Sequence, residues 1–98
     1  MMYEMQFTPQ AARYFKKLKE KSLKTAYEKA LRDIMYNPYI GSPKRGDLAK
    51  VYGVDVKHKR VNYEIAYTIH ETDGRKVIVL LAGTRENFYE QLKRYRKK

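Results

Sequence analysis

Apolar and polar positions along the chain follow a two-residue period, then a helical one, then a two-residue period again, and each change marks a new element. Tyr3, Met5 and Phe7 alternate with Glu4 and Gln6, as in a half-buried strand. Thr8-Pro9 ends that strand and opens a helix, with Thr8 as N-cap and Pro9 at the first helical position, where an N–H would have no partner. Through Lys21 this helix places Ala11, Phe15 and Leu18 on one side and Arg13, Lys16, Lys17 and Lys19 on the other. Ser22 starts a second helix with Leu23, Tyr27, Ala30, Leu31 and Ile34 as its apolar stripe, and Asn37-Pro38 stops it. The pair predicts an antiparallel hairpin.

Pro38 to Ala49 reads as a long loop, with Gly41, Ser42, Pro43, Gly46 and Asp47 around the cations Lys44 and Arg45. The two-residue period then returns. Tyr52, Val54 and Val56 alternate with Gly53, Asp55 and Lys57, and Tyr63, Ile65, Tyr67 and Ile69 with Asn62, Glu64, Ala66 and Thr68. A turn at Thr72-Asp73-Gly74 leads into the unbroken apolar run Val77 to Ala82, which predicts a central strand buried on both faces. Gly83 permits a sharp exit and Thr84 can cap a last helix, in which Phe88, Leu92 and Tyr95 recur at helical spacing. The basic tail Lys93 to Lys98 is an electrostatic handle. The order predicts one α+β domain over residues 1–98: an N-terminal strand, a two-helix hairpin, a three-stranded antiparallel meander and a C-terminal helix, with helices packed on an antiparallel sheet.

Charge then narrows the function. Twenty-two Lys and Arg against 11 Asp and Glu leave a net +11 on 98 residues, a self-repelling surplus that suits a polyanionic partner, nucleic acid first. Ten tyrosines add rings able to stack on bases. The absence of cysteine excludes disulfides, thiolate metal sites and a cysteine nucleophile, and fits a reducing cytosol. No apolar run is long enough to span a bilayer and no signal peptide is visible, so a cytoplasmic protein without membrane contact is expected.

If Val54, Val56, Tyr63, Ile65 and Tyr67 face the helices, then Asp55, Lys57, Lys59, Asn62 and Glu64 share the other face of the sheet. Arg85, at the end of the third strand, can lean over that face with Tyr89 one helical turn behind it. Such a set suits RNA cleavage by the RNA's own 2′-hydroxyl, which needs a base, an acid and cations to offset charge on the phosphate. Glu64 is the candidate base. Lys57 and Arg85 can hold and stabilise the phosphate, and Tyr89 can stack on a base or donate a proton. Lys44, Arg45, Lys59, Arg60 and Asn62 are candidates for RNA contact. The same residues also fit a solvated sheet face with cross-strand ion pairs, and Arg85 and Tyr89 fit an exposed first-turn residue and a packing residue. This route needs no metal or cofactor, and His58 and His70 are too far apart in pattern to form a ligand set. His58, in phase with Val54 and Val56, is expected to be structural, with a catalytic role as a reserve reading.

Two stretches, Asn62-Tyr63-Glu64-Ile65-Ala66-Tyr67 and Ala82-Gly83-Thr84-Arg85-Glu86-Asn87-Phe88-Tyr89, together with the order of elements, resemble the RelE/ParE superfamily of toxins. The resemblance implies a curved antiparallel sheet with two N-terminal helices on one face. It also implies a ribosome-dependent mRNA endonuclease, monomeric alone and neutralised by a cognate antitoxin in a hetero-oligomer. By position Lys57 matches a family lysine, Arg85 a cationic or histidine position, and Tyr89 an aromatic one. RNA-cleaving members usually carry an arginine where this chain has Glu64, and a lysine where it has Asp55. The ParE branch shares the fold without the cleavage set and poisons DNA gyrase. Three readings are therefore open on sequence alone: an mRNA endonuclease, a gyrase-binding toxin and a non-catalytic RNA-binding protein.

Overall fold

The computed structural model describes residues 2–72 and 74–96. In chain order its elements are β1 (Glu4–Phe7), α1 (Pro9–Lys17), α2 (Lys21–Tyr36), a 3-10 turn (Pro38–Ile40), β2 (Ser42–Pro43), a second 3-10 turn (Gly46–Leu48), β3 (Val51–His58), β4 (Val61–His70), β5 (Lys76–Thr84) and α3 (Phe88–Arg96). The strands form one sheet in the order β1-β5-β4-β3-β2. The expected α+β class holds, with one correction: the sheet is mixed. β1 runs parallel to β5, Met5 opposite Val77, while the other neighbours are antiparallel. Parallel neighbours need a long crossover, and here helices and meander together supply it.

Three boundaries also move. α1 ends at Lys17 rather than Lys21, closed by the Leu18 N–H on Phe15 O, and α2 begins at Lys21. Thr8 caps α1 as expected, its Oγ accepting from Ala11 N at 3.2 Å, and it also donates to Leu80 O at 2.7 Å, tying the helix start to the sheet. Thr84 is the last residue of β5 and not a cap, since α3 starts four residues later after Asn87 turns the chain at φ 59°. Of the Thr72-Asp73-Gly74 turn, Asp73 lies outside the described residues, as do Lys97 and Lys98 of the basic tail.

The apolar run of β5 has a specific cause. Ala66 of β4 faces Leu81 but the next residue, Tyr67, faces Val79, so Leu80 is an extra residue in β5 that resets the alternation. Tyr67 and Val79 therefore join the core under α1 and α2, whereas Ala66 and Leu81 pack with Leu48, Val51, Phe88 and Leu92 on the opposite face. With both faces covered at this point, the strand has no position for a polar residue. The helix-side core is built on aromatic edges: Tyr27 meets Tyr14 at 5.7 Å and Phe15 at 5.2 Å between ring centres, joining α1 to α2. Burying each such side chain is worth roughly 2–3 kcal/mol in apolar area removed from water. On the other face α3 and the Leu48 turn cover only part of the sheet. The rest stays open beside them.

A candidate active site on the open sheet face

Glu64 points to that open face from the middle of β4, yet it is only 2% exposed. Tyr89, from the first turn of α3, donates its hydroxyl proton to Glu64 Oε2. Lys44 Nζ lies 3.8 Å from the same oxygen and 4.8 Å from the centre of the Tyr89 ring. Arg85 Nε stands 4.0 Å from Oε1. Oε1 is itself buried and, among the described residues, has no hydrogen-bond partner. Burial holds the Glu64 carboxyl above the usual carboxylate range, reinforced by Asp55 directly opposite on β3; the Tyr89 hydrogen bond and Lys44 act the other way. Tyr89 is pushed well above the ordinary phenol value by its own burial and by donating to Glu64, so it keeps its proton.

Each side chain is held from behind. The loop carrying Lys44 looks slack in sequence and is not. Tyr67 donates to Pro38 O at 2.5 Å, Ser42 and Pro43 pair with Gly53 and Tyr52, and Lys44 N–H reaches Val51 O at 2.8 Å. At the loop's base, Tyr39 and Tyr3 both donate to Glu71 Oε2, the latter at 2.8 Å. Arg85 N–H bonds Asn62 O at 2.9 Å, and its own carbonyl accepts from Phe88 N at 3.2 Å, so Arg85 precedes α3 instead of opening it. Gly53 is the residue that sequence reasoning missed. A Cβ there would lie 2.5 Å from the Tyr89 hydroxyl oxygen, 2.6 Å from Glu64 Oε2 and 2.8 Å from Lys44 Cε. The site exists because that carbon is absent, and the available signal was a glycine inside an otherwise regular strand pattern.

The structure thus brings Lys44, Glu64, Arg85 and Tyr89 around one cleft of about 270 Å³. Lys57 and Asn62 face each other across β3 and β4, one step along the same face from the Asp55–Glu64 pair, and both are exposed. Arg45 is exposed in the loop after Lys44. Lys59 departs from expectation. With Arg60 it forms the two-residue β3–β4 turn at φ 50° and 67°, and its Nζ pairs with Glu20 Oε2 at 2.8 Å, at the junction of α1 and α2. The left-handed turn carries it off the open face. His58 packs toward Ser22, with its Nε2 2.8 Å from the Ser22 hydroxyl oxygen. Among the described residues no group of three or more His, Cys, Asp or Glu is placed to hold a metal ion, and no helix is long and apolar enough to cross a membrane.

A sheet backed by a helix pair on one face and partly open on the other has the fold of the RelE-type toxins. A double mutant of E. coli toxin RelE in the free state matches it with a TM-score of 0.75, over 99% of this chain and 98% of that one, at 18% identity. The RelBE2 toxin–antitoxin complex from Mycobacterium tuberculosis contains a chain matching at 0.67 with 27% identity, covering 87% of this chain and 100% of that one. The intact E. coli RelBE toxin–antitoxin complex gives 0.66 and 21%, over 83% and 94%. The family model for the ParE-like toxin of type II bacterial toxin–antitoxin systems matches residues 5–93. The chain belongs to that family, and so is a toxin of the RelE/ParE superfamily. A comparison with curated proteins finds no match.

Proposed function

We propose that this toxin cleaves mRNA on the ribosome, by attack of the RNA's own 2′-hydroxyl and without a metal ion. The observation that carries the reading is the buried Glu64, whose Oε1 has no hydrogen-bond partner among the described residues and lies 4.0 Å from Arg85 Nε. A carboxylate with a raised pKa is a stronger base than an ordinary one. Glu64, uncovered as the exposed Arg85 side chain shifts onto the phosphate, takes the proton of the 2′-hydroxyl as O2′ bonds to phosphorus and the bond to O5′ breaks. Arg85 and Lys44 offset the charge that grows on the phosphoryl oxygens, with Lys57 further along the strand. Protonating Glu64 weakens it as an acceptor, which releases the Tyr89 hydroxyl to give its proton to O5′. Glu64 then returns a proton to Tyr89, and the products are a 2′,3′-cyclic phosphate and a free 5′-hydroxyl.

Lys44 supplies from the loop a cation that the sequence lacks at Asp55 and Glu64, where RNA-cleaving relatives carry theirs. The net charge of +11 suits both the ribosomal surface and an acidic antitoxin segment wrapped over the cleft, and the two solved toxin–antitoxin complexes with similar chains support an antitoxin partner. The ParE-like family description favours a second reading, a toxin that arrests growth through DNA gyrase with mRNA left intact. Induction in a bacterial host with mapping of mRNA 5′ ends separates the two. Cuts inside translated codons that vanish in Arg85→Ala are expected; growth arrest with intact mRNA rejects the nuclease.

A further inference from the structure

The cleft around Glu64 continues around the edge of the sheet. A second hollow of about 260 Å³ lies between α2 and β3, and the two share Ile40, Val54 and Asp55 in their walls. Its origin is local. β2 pairs with β3 only at Tyr52 and Gly53, so Val54 to His58 have no strand on that side. α2 lines the hollow with Ala26 and Ala30, small side chains one helical turn apart, while the larger Tyr27 and Ile34 go to the core. Ile40 forms the ledge between the hollows. It is 51% exposed although its turn is held by buried Pro38 and by the Asn37 side chain accepting from Tyr39 N at 3.2 Å. An apolar side chain kept rigid in solvent, and used by no core cluster among the described residues, needs another partner.

Each hollow is lined by two cations and two carboxylates, and the two differ instead in their walls, mostly polar side chains in the first and mostly apolar ones in the second, as the halves of a nucleotide do. The first has Lys44 and Arg85 over its carboxylates and suits phosphate. At the rim of the second, Lys29 and Lys57 are balanced by Asp33 and Asp55 over walls of Ala26, Ala30, Val54 and Val56. A neutral, apolar-walled hollow with both donors and acceptors at its rim suits a nucleobase, which buries its ring faces and presents polar edges. We propose that the hollow between α2 and the free edge of β3 takes the base adjoining the phosphate held by Lys44 and Arg85, and thereby sets sequence preference. This rests on the RNA reading above. Asp33 and Asp55 accept from amino or imino N–H groups of the base, Lys29 donates to its carbonyl or ring nitrogen, and Ile40 packs on a ring face.

The test reads binding without cleavage. The ¹⁵N-labelled protein is titrated with four 2′-O-methyl dinucleoside monophosphates, in which the attacking hydroxyl is blocked, and separately with inorganic phosphate. Dinucleotides are expected to shift the amides of Ala26, Ala30, Val54 and Val56 as well as those near Lys44 and Arg85, and phosphate only the latter. Ala30→Leu should weaken dinucleotide binding roughly tenfold, the scale of one misfilled apolar pocket, without altering phosphate binding. Asp33→Asn, on the exposed rim, is the second variant and should change the order of preference among the four bases. Shifts confined to the Lys44 and Arg85 region, or unchanged dinucleotide affinity and preference in the two variants, would overturn the proposal and leave the β3 edge to a partner strand. If the hollow binds dinucleotides while mRNA stays intact in arrested cells, the nuclease reading fails and the base site stands.

Discussion

Adjacent residues of β4 serve the two faces of the sheet, and the two faces follow different rules. Toward the helices, Ile65 and Tyr67 are fully buried, and the Tyr67 hydroxyl is satisfied by Pro38 O. Tyr14 and Tyr27 share a hydrogen bond of 2.8 Å on the same side. Toward the open face Glu64 is about as buried as they are, opposite another acidic residue and with one oxygen that has no partner among the described residues. A buried polar atom without a partner is destabilising, and so are like charges directly across a ladder. The helix face is organised for stability. The open face gives up stability at one residue, and in the proposed reaction that residue is the base.

The contrast predicts that substitutions on the two faces separate activity from stability. Arg85→Ala, exposed on the open face, should reduce mRNA cutting by about a hundredfold or more while leaving the melting temperature unchanged, read by 5′-end mapping beside thermal unfolding. Ile65→Ala on the helix face should do the reverse. Removing those buried carbons costs about 2–5 kcal/mol of stability in urea unfolding, with cutting per folded molecule unaffected. Tyr27→Phe deletes one shared hydroxyl contact beneath α1 and should cost about 1 kcal/mol, again without an effect on cutting. The smallest effect belongs to Lys59→Ala. Its only ion pair among the described residues is with Glu20 at the helix junction, so neither unfolding nor cutting should change measurably; a clear loss of cutting would return Lys59 to the RNA surface.

Most of the fold was legible because periodicity reflects directly which face a side chain serves. The two-residue alternation of β3 and β4 placed Asp55, Lys57, Asn62 and Glu64 on one face, as their register shows. An inserted residue is what periodicity carries poorly. The Leu80 bulge turned two half-buried stretches of β5 into one apolar run, and the Lys59-Arg60 turn, lacking the usual Asn-Gly, hid the reversal that takes Lys59 away from the cleft. The parallel place of β1 was not legible either, because its partner is contributed from some 70 residues further along the chain. Glu64, Arg85 and Tyr89 could be singled out from sequence, and Lys44 only as a cation in a loop. Their convergence depends on the anchoring of that loop and on the missing Cβ of Gly53, both long-range facts.

The most direct measurement is thermal unfolding of wild type and Glu64→Gln as a function of pH, with mRNA cutting measured on both. Since the folded protein holds the Glu64 proton more tightly than the unfolded chain, the Glu64 contribution favours folding at low pH and is lost as pH rises through the folded-state value. The two proteins should therefore melt together near about pH 4, and Glu64→Gln should be the more stable at about pH 8 while cutting falls roughly a hundredfold or more. A Glu64→Gln protein that is less stable at every pH and still cuts mRNA would make Glu64 a structural ion-pair partner and contradict the account.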